Sequence, residues 1–306
     1  MKTLRAYAEL VRLPNVFTSL ADVLAGYWLV SHSLHWSAAL SWLLSASACF
    51  YSAGIVFNDL HDLETDRRER PARPLPSGRI TMRAAWTLAI VLSVTGLAAA
   101  GAASLHADGA TGWAPFRPII TAILLLMAVL AYDFALKDTI LGPLNMGTCR
   151  SLNLLLGASA GPGVVSGEAP PALAYLAIAV LLYVTSVTLL AQGEVGGLAR
   201  WRIMLGIAGI AAAILLIGAV CVAERLLDDF TWILWLAVAI HLGRVSLRMV
   251  RSPSSPVVLY AIKTYIFAII ALDALMASAA QGWEAGAIVL CLLVPALLLG
   301  RWVYST

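Results

Sequence analysis

Residues 58–79 read NDLHDLETDRRERPARPLPSGR, and they follow directly on an apolar stretch, Ala38 to Phe57, that is long enough to cross a bilayer. Asp59, Asp62 and Asp66 are three and four positions apart, so a helix running on past Phe57 stacks them on one face within about a turn of each other. Oxygen ligands gathered in this way suit Mg2+, which bridges one or two carboxylates to substrate phosphates. The plainer alternative is a charged loop that only retains the chain on the cytoplasmic side. Arginines alone would do that, and ordered aspartates would oppose them.

The solvent follows from composition. Of 306 residues 61% are hydrophobic and only 12% are charged, with a mean hydropathy of +0.87, against about 25% charged residues in soluble domains. Spanning-length apolar segments fall near residues 13–31, 38–57, 83–105, 116–134, 140–158, 172–191, 203–223, 230–250, 258–279 and 284–303. The chain is therefore expected to be an all-α polytopic membrane protein with one transmembrane domain over residues 1–306. Lys2, Arg5, Arg12, the arginine-rich 58–83 loop, Lys137, Arg200, Arg202, Arg244, Arg248, Arg251, Lys263 and Arg301 fall on one side, and only Arg117 and Arg225 on the other. By the positive-inside rule both termini and the acidic loop face the cytoplasm. That fits a bacterial-type inner (plasma) membrane.

Several classes are set aside by what the chain contains. Its net charge of +3 is placed by topology and not gathered into a basic patch, so no nucleic-acid partner is expected. Cys49, Cys149, Cys221 and Cys291 are scattered singly through apolar stretches and read as small core residues, not as a disulfide framework. No histidine pairs with another His or Cys at metal-binding spacing, and no phosphate-binding glycine motif precedes a helix. The N-terminus lacks a small-residue cleavage site after a short apolar core, so no removable signal peptide is expected.

NDxxDxxxDR followed by RPLPSG resembles the first aspartate-rich motif of the UbiA superfamily of intramembrane prenyltransferases. The resemblance implies nine transmembrane helices around a central cavity, against the ten segments counted, so that 284–303 would be an addition or a re-entrant piece. It also implies Mg2+-dependent transfer of an isoprenoid chain from a prenyl diphosphate to an aromatic or other small acceptor. It puts Asn58, Asp59, Asp62 and Asp66 in the metal-ligand places. By position, Arg67 directly after Asp66 reads as a diphosphate contact, and Arg73 in the RPLPSG turn is placed to close over the diphosphate from the cytoplasm. YDFALKD resembles the family's Tyr…Lys element, in which Lys137, after Tyr132, holds diphosphate; an anchor paired with Asp138 is its structural alternative. RLPNVFTSLADVLAG resembles the first family helix, with Asn15 near acceptor or diphosphate and Asp22 as a buried partner for a cation.

Arg150 and Asn153 are three apart in MGTCRSLNLLLG and so share one helical face. Two readings stay open: a forked contact to phosphate or acceptor, or an interhelix anchor paired with Asp22 or Asp273. The family also implies a second aspartate-rich motif after the sixth helix, facing the first. Here that stretch reads YVTSVTLLAQGEVGGLARWR, with Glu194 its only acid. Either Glu194 with Gln192 holds a metal or its waters, or the protein is a non-catalytic binder or carrier of prenyl lipid on the same fold. A subset of the family associated with metabolite-export clusters is similar in this respect.

Overall fold

The computed structural model describes residues 2–31, 34–106, 112–161, 170–192, 200–224 and 228–303, and every regular element among them is helical. An N-terminal helix α1 (Lys2–Leu10) precedes α2 (Leu13–Leu29), α3 (Ala38–His61), a short α4 (Leu63–Glu69), α5 (Met82–Leu105), α6 (Arg117–Ala131) and α7 (Gly142–Ala158). Then come α8 (Pro171–Ala191), α9 (Arg200–Ala223), α10 (Asp229–Arg251), α11 (Ser255–Gln281), α12 (Trp283–Cys291) and α13 (Leu293–Trp302).

Eight stretches among the described residues are long and apolar enough to span: α3, α5, Ala114–Leu136 around α6, α8, α9, α10, α11, and Trp283–Trp302. The last is broken at Leu292 into α12 and α13. Helices α2 and α7 have 17 residues each, about 25 Å at 1.5 Å per residue, the short end for a bilayer crossing. They sit in the middle of the bundle and are mostly buried. Adding these two accounts for the ten segments expected from sequence.

Local signals set the ends. Ser37 caps α3 by accepting the Leu40 N–H at 3.0 Å, and Asp228 caps α10 by accepting that of Thr231 at 2.7 Å. Helix α2 starts with Pro14 in its first turn, behind Arg12 at φ 46. Gly282 at φ 87 makes the turn from α11 into α12.

Because lipid tails are as apolar as leucine, packing here depends on close approach rather than on burial of apolar surface from water. A Cβ on Gly26 would lie 1.9 Å from the Leu154 carbonyl oxygen, and one on Gly157 would lie 2.2 Å from that of Val23. Glycine at both places lets α2 and α7 touch backbone to backbone. Helix α5 meets α3 through Ala85, Ala89, Ala99, Ala100 and Ala103, all buried. Beneath the aspartate-rich segment, Leu10 of α1 joins Val56, Phe57, Leu60, Leu63, Leu75 and Ile80 in a small apolar cluster. That cluster moors α1 and the RPLPSG turn to the end of α3.

Candidate active site

The aspartate-rich segment is a continuation of α3. The Asp62 N–H donates to the Asn58 carbonyl at 2.9 Å and the Asp66 N–H to that of Asp62 at 2.8 Å, so the rod carries past a one-residue interruption. Asp59 and Asp66 are buried. Arg73, returned by the RPLPSG turn, reaches between them: its Nη1 donates to Asp66 Oδ2 at 2.5 Å and stands 3.7 Å from Asp59 Oδ1. Arg12 Nη2 donates to the same Asp59 oxygen at 3.0 Å. Arg12 is the one non-glycine described residue with positive φ, a conformation that costs free energy and recurs at functional sites.

Asp62 is directed elsewhere, to Lys137, whose Nζ donates to Asp62 Oδ2. Lys137 follows a π-helical turn, Tyr132–Leu136, closed by the Lys137 N–H on the Tyr132 carbonyl at 3.0 Å. One-turn bulges of this kind favour functional positions. Gly142 lets the chain fold back against it, since a Cβ there would meet the Lys137 carbonyl oxygen at 2.6 Å. Gln192, at the end of α8, donates to that same oxygen at 2.9 Å. The segment in which the second acidic motif was expected thus approaches the first through Lys137. Glu194 itself lies outside the described residues. On the same rim Asn58 Nδ2 donates to Asp133 Oδ1 at 3.3 Å, and Tyr132 is buried.

Asp59, Asp62 and Asp66 thus meet Arg12, Arg73 and Lys137 at one end of the bundle, with Asp133 and Arg70 at its edge. Among the described residues no group of three His, Cys, Asp or Glu side chains is gathered closely enough to hold a metal ion unaided. Mg2+ takes most of its ligands from water and substrate phosphate and only one or two from carboxylates. The oxygen set of Asp59, Asp62 and Asp66, with Asn58 and Asp133 beside it, fits that demand.

The remaining expected residues fall in two places. Arg67 lies on the exposed side of α4, where its Nη1 donates to Glu64 at 2.5 Å, away from the carboxylates. Arg150 and Asn153 lie in the centre of the bundle. Arg150 Nη1 donates to Asp22 Oδ2 at 2.9 Å and its Nη2 to Thr18 at 2.6 Å. Asn153 Nδ2 donates to the same Asp22 oxygen at 2.8 Å, and Ser47 donates to Asn153 Oδ1 at 2.7 Å. Asp273 of α11, also fully buried, faces Asp22. The arrangement is that of the interhelix anchor weighed from the sequence, tying α2, α3, α7 and α11 together.

Tyr51 connects the two places. Its ring lies 5.8 Å from the Arg150 guanidinium, and its hydroxyl meets the Asn15 side chain at the start of α2. Sequence reasoning missed Tyr51 and treated Arg12 as a topology charge. The signal was there for Arg12: an arginine before a leucine-proline helix start, at the same membrane edge as the aspartates.

A sequence profile of the UbiA prenyltransferase family matches residues 19–256. The digeranylgeranylglyceryl phosphate synthase of Sulfurisphaera tokodaii is 30% identical over 159 residues, 52% of this chain and 53% of the relative. The 2-acylphloroglucinol 4-prenyltransferase of Humulus lupulus is 35% identical over 88 residues, 29% of this chain and 18% of the relative. The chain thus spans about half the length, or less, of the curated relatives it matches. Among solved structures, the apo form of a UbiA homologue from Aeropyrum pernix K1 superposes with a TM-score of 0.68 at 21% identity, covering 90% of this chain and 98% of that one. A homologue from Archaeoglobus fulgidus bound to GPP and Mg2+ gives 0.60 at 14% identity, covering 94% and 99%. At these identities the likeness is one of fold.

Proposed function

Since the chain belongs to the UbiA prenyltransferase family, we propose that it is an integral membrane enzyme moving an isoprenoid chain from a prenyl diphosphate to an aromatic or other small acceptor. The observation that carries this reading is the rim at which Asp59, Asp62 and Asp66 meet Arg12, Arg73 and Lys137. Carboxylates alone would repel diphosphate and cations alone would have no use for a metal. Both together suit a metal-bound diphosphate. The names of the relatives support an isoprenoid donor, and the distribution of arginines and lysines supports a rim that faces the cytoplasm.

Mg2+ on one or two of the three aspartates would act as a Lewis acid toward the diphosphate oxygens. The protein's own groups carry the remainder. Lys137, Arg12 and Arg73 stabilise the negative charge that grows on the departing diphosphate as the bond from its oxygen to the allylic carbon breaks. The electron pair leaves with the diphosphate, the acceptor forms the new bond to that carbon, and the acceptor's proton is lost. The apolar bundle excludes water, which would otherwise trap the allylic cation.

Purified protein in lipid with Mg2+, prenyl diphosphates of several lengths and a panel of phenolic and alcohol acceptors should release diphosphate and form a prenylated product. No release above background, together with prenyl lipid retained by the protein and identified by mass spectrometry, would replace the transferase with the carrier.

A further inference from the structure

Away from the aspartate rim, α9 and α10 leave a groove of about 420 Å3 between them, lined by Ile207 and Ile214 on one side and by Trp235, Ala239, Gly243 and Leu247 on the other. At Val250 it runs into a second hollow of about 280 Å3 whose wall includes Arg200, Met204 and Pro253. The far end is closed by Trp235, whose indole N–H donates to the Ile214 carbonyl at 3.0 Å and whose ring stacks on Trp232. From Arg200 to Ile214 the groove follows about 21 Å of helix, more than one leaflet's share, about 15 Å, of the hydrocarbon core. One acyl chain fits along it.

The open end is rich in cations. Arg244, Arg248 and Arg251 are spaced four and three apart, forming an exposed stripe one residue round from the groove-lining Gly243, Leu247 and Val250. Arg202 stacks over Trp201 at 5.4 Å, a pairing suited to the headgroup layer. Among the described residues none of Arg200, Arg202, Arg244, Arg248 or Arg251 makes an ion pair, whereas Arg12, Arg73 and Lys137 all do. The sequence contains no Asp or Glu from Arg200 to Ala223 or from Phe230 to Leu272. Topology alone asks for positive charge on one side of the membrane and not for its concentration around the mouth of an apolar groove.

We infer that this groove is a binding site for an anionic phospholipid of the bilayer, with an acyl chain against Ile214 and Ala239 and the headgroup phosphate on Arg200 and the Arg244–Arg248–Arg251 stripe. Basic pockets between transmembrane helices take lipid phosphates in this way. A prenyl diphosphate with its metal would need carboxylates as well, and there are none among the described residues that line the groove.

The test is native mass spectrometry of the protein released from nanodiscs holding equal phosphatidylglycerol and phosphatidylcholine. Wild type should retain phosphatidylglycerol with a preference of roughly tenfold. An Arg200→Gln/Arg251→Gln variant should lose the preference, and Ala239→Trp, which fills the groove and leaves every arginine in place, should lose the retained lipid itself. Prenyl diphosphate binding serves as the folding control for both. Equal retention of the two lipids by wild type, or a preference unchanged in both folded variants, overturns the site. Displacement of the retained phospholipid by stoichiometric prenyl diphosphate overturns it in favour of a second substrate position.

Discussion

Arg12 and Asp59 stand 47 residues apart in the chain and are joined by a 3.0 Å hydrogen bond between guanidinium and carboxylate. Arg12 is itself the left-handed residue at which α2 begins. Arg12→Gln should weaken prenyl diphosphate binding about tenfold, near 1.4 kcal/mol, and lower stability in detergent by about 1–3 kcal/mol as Asp59 loses a charged partner. Unchanged affinity in equilibrium binding would leave Arg12 with only its structural part.

Asp59→Asn and Asp62→Asn keep side-chain shape and remove one charged oxygen ligand each. Mg2+-dependent binding of prenyl diphosphate should fall tenfold or more in either, roughly 1.4 kcal/mol or above. Titrations with and without Mg2+ decide it: if affinity and its metal dependence persist in folded variants, the aspartates serve only to hold Arg12, Arg73 and Lys137.

At the centre of the bundle Arg150 is the cation paired with the buried Asp22, which the buried Asp273 faces from α11. Arg150→Met leaves Asp22 without its cation in a water-poor interior, with Asn153 still donating to it, and breaking a buried pair in this way costs about 3–5 kcal/mol. The unfolding midpoint in detergent should drop accordingly. A variant of wild-type stability whose KM for acceptor rises would move Arg150 from the anchor to the acceptor site.

Glu194 is the only acid in the stretch after α8. If it supplies the second metal position, Glu194→Gln should lower kcat steeply while prenyl diphosphate binding stays nearly intact, because the lost interaction would belong to the transition state. Equal turnover by wild type and variant would remove Glu194 from the chemistry.

The orientation is open to direct labelling. A Ser77→Cys variant, in the turn after Arg73, should resist impermeant thiol reagents in intact cells and react once the membrane is opened. Reaction in intact cells would place the rim outside.

Much of this architecture was legible in sequence because the bilayer makes hydropathy decisive. The ten segments, the apolar stretch that leads into the motif, and the partnership of Asp22 with a cation all followed from length and from the cost of intramembrane charge. Pairing across the rim was less accessible. Asp59, Asp62 and Asp66 read as one face, yet they divide between Arg12 with Arg73 and Lys137. The direction of Lys137 depends on a π-turn that hydrophobic periodicity does not encode, and Arg67 beside Asp66 points outward because adjacent residues on a helix differ by about 100°.

The π-turn also changes what has to be preserved at this position. Tyr132 to Lys137 uses one more residue than an α-helical turn would, and that surplus residue aims the lysine across to α3. A helix that kept all of these residues but wound as α through Lys137 would swing the lysine by about 100°, breaking the rim while keeping every one of its charged groups. Winding at this point is as much a component of the site as chemistry, so a helix that matches Tyr and Lys at this spacing but stays α through the turn would carry the charged groups of the rim without its geometry.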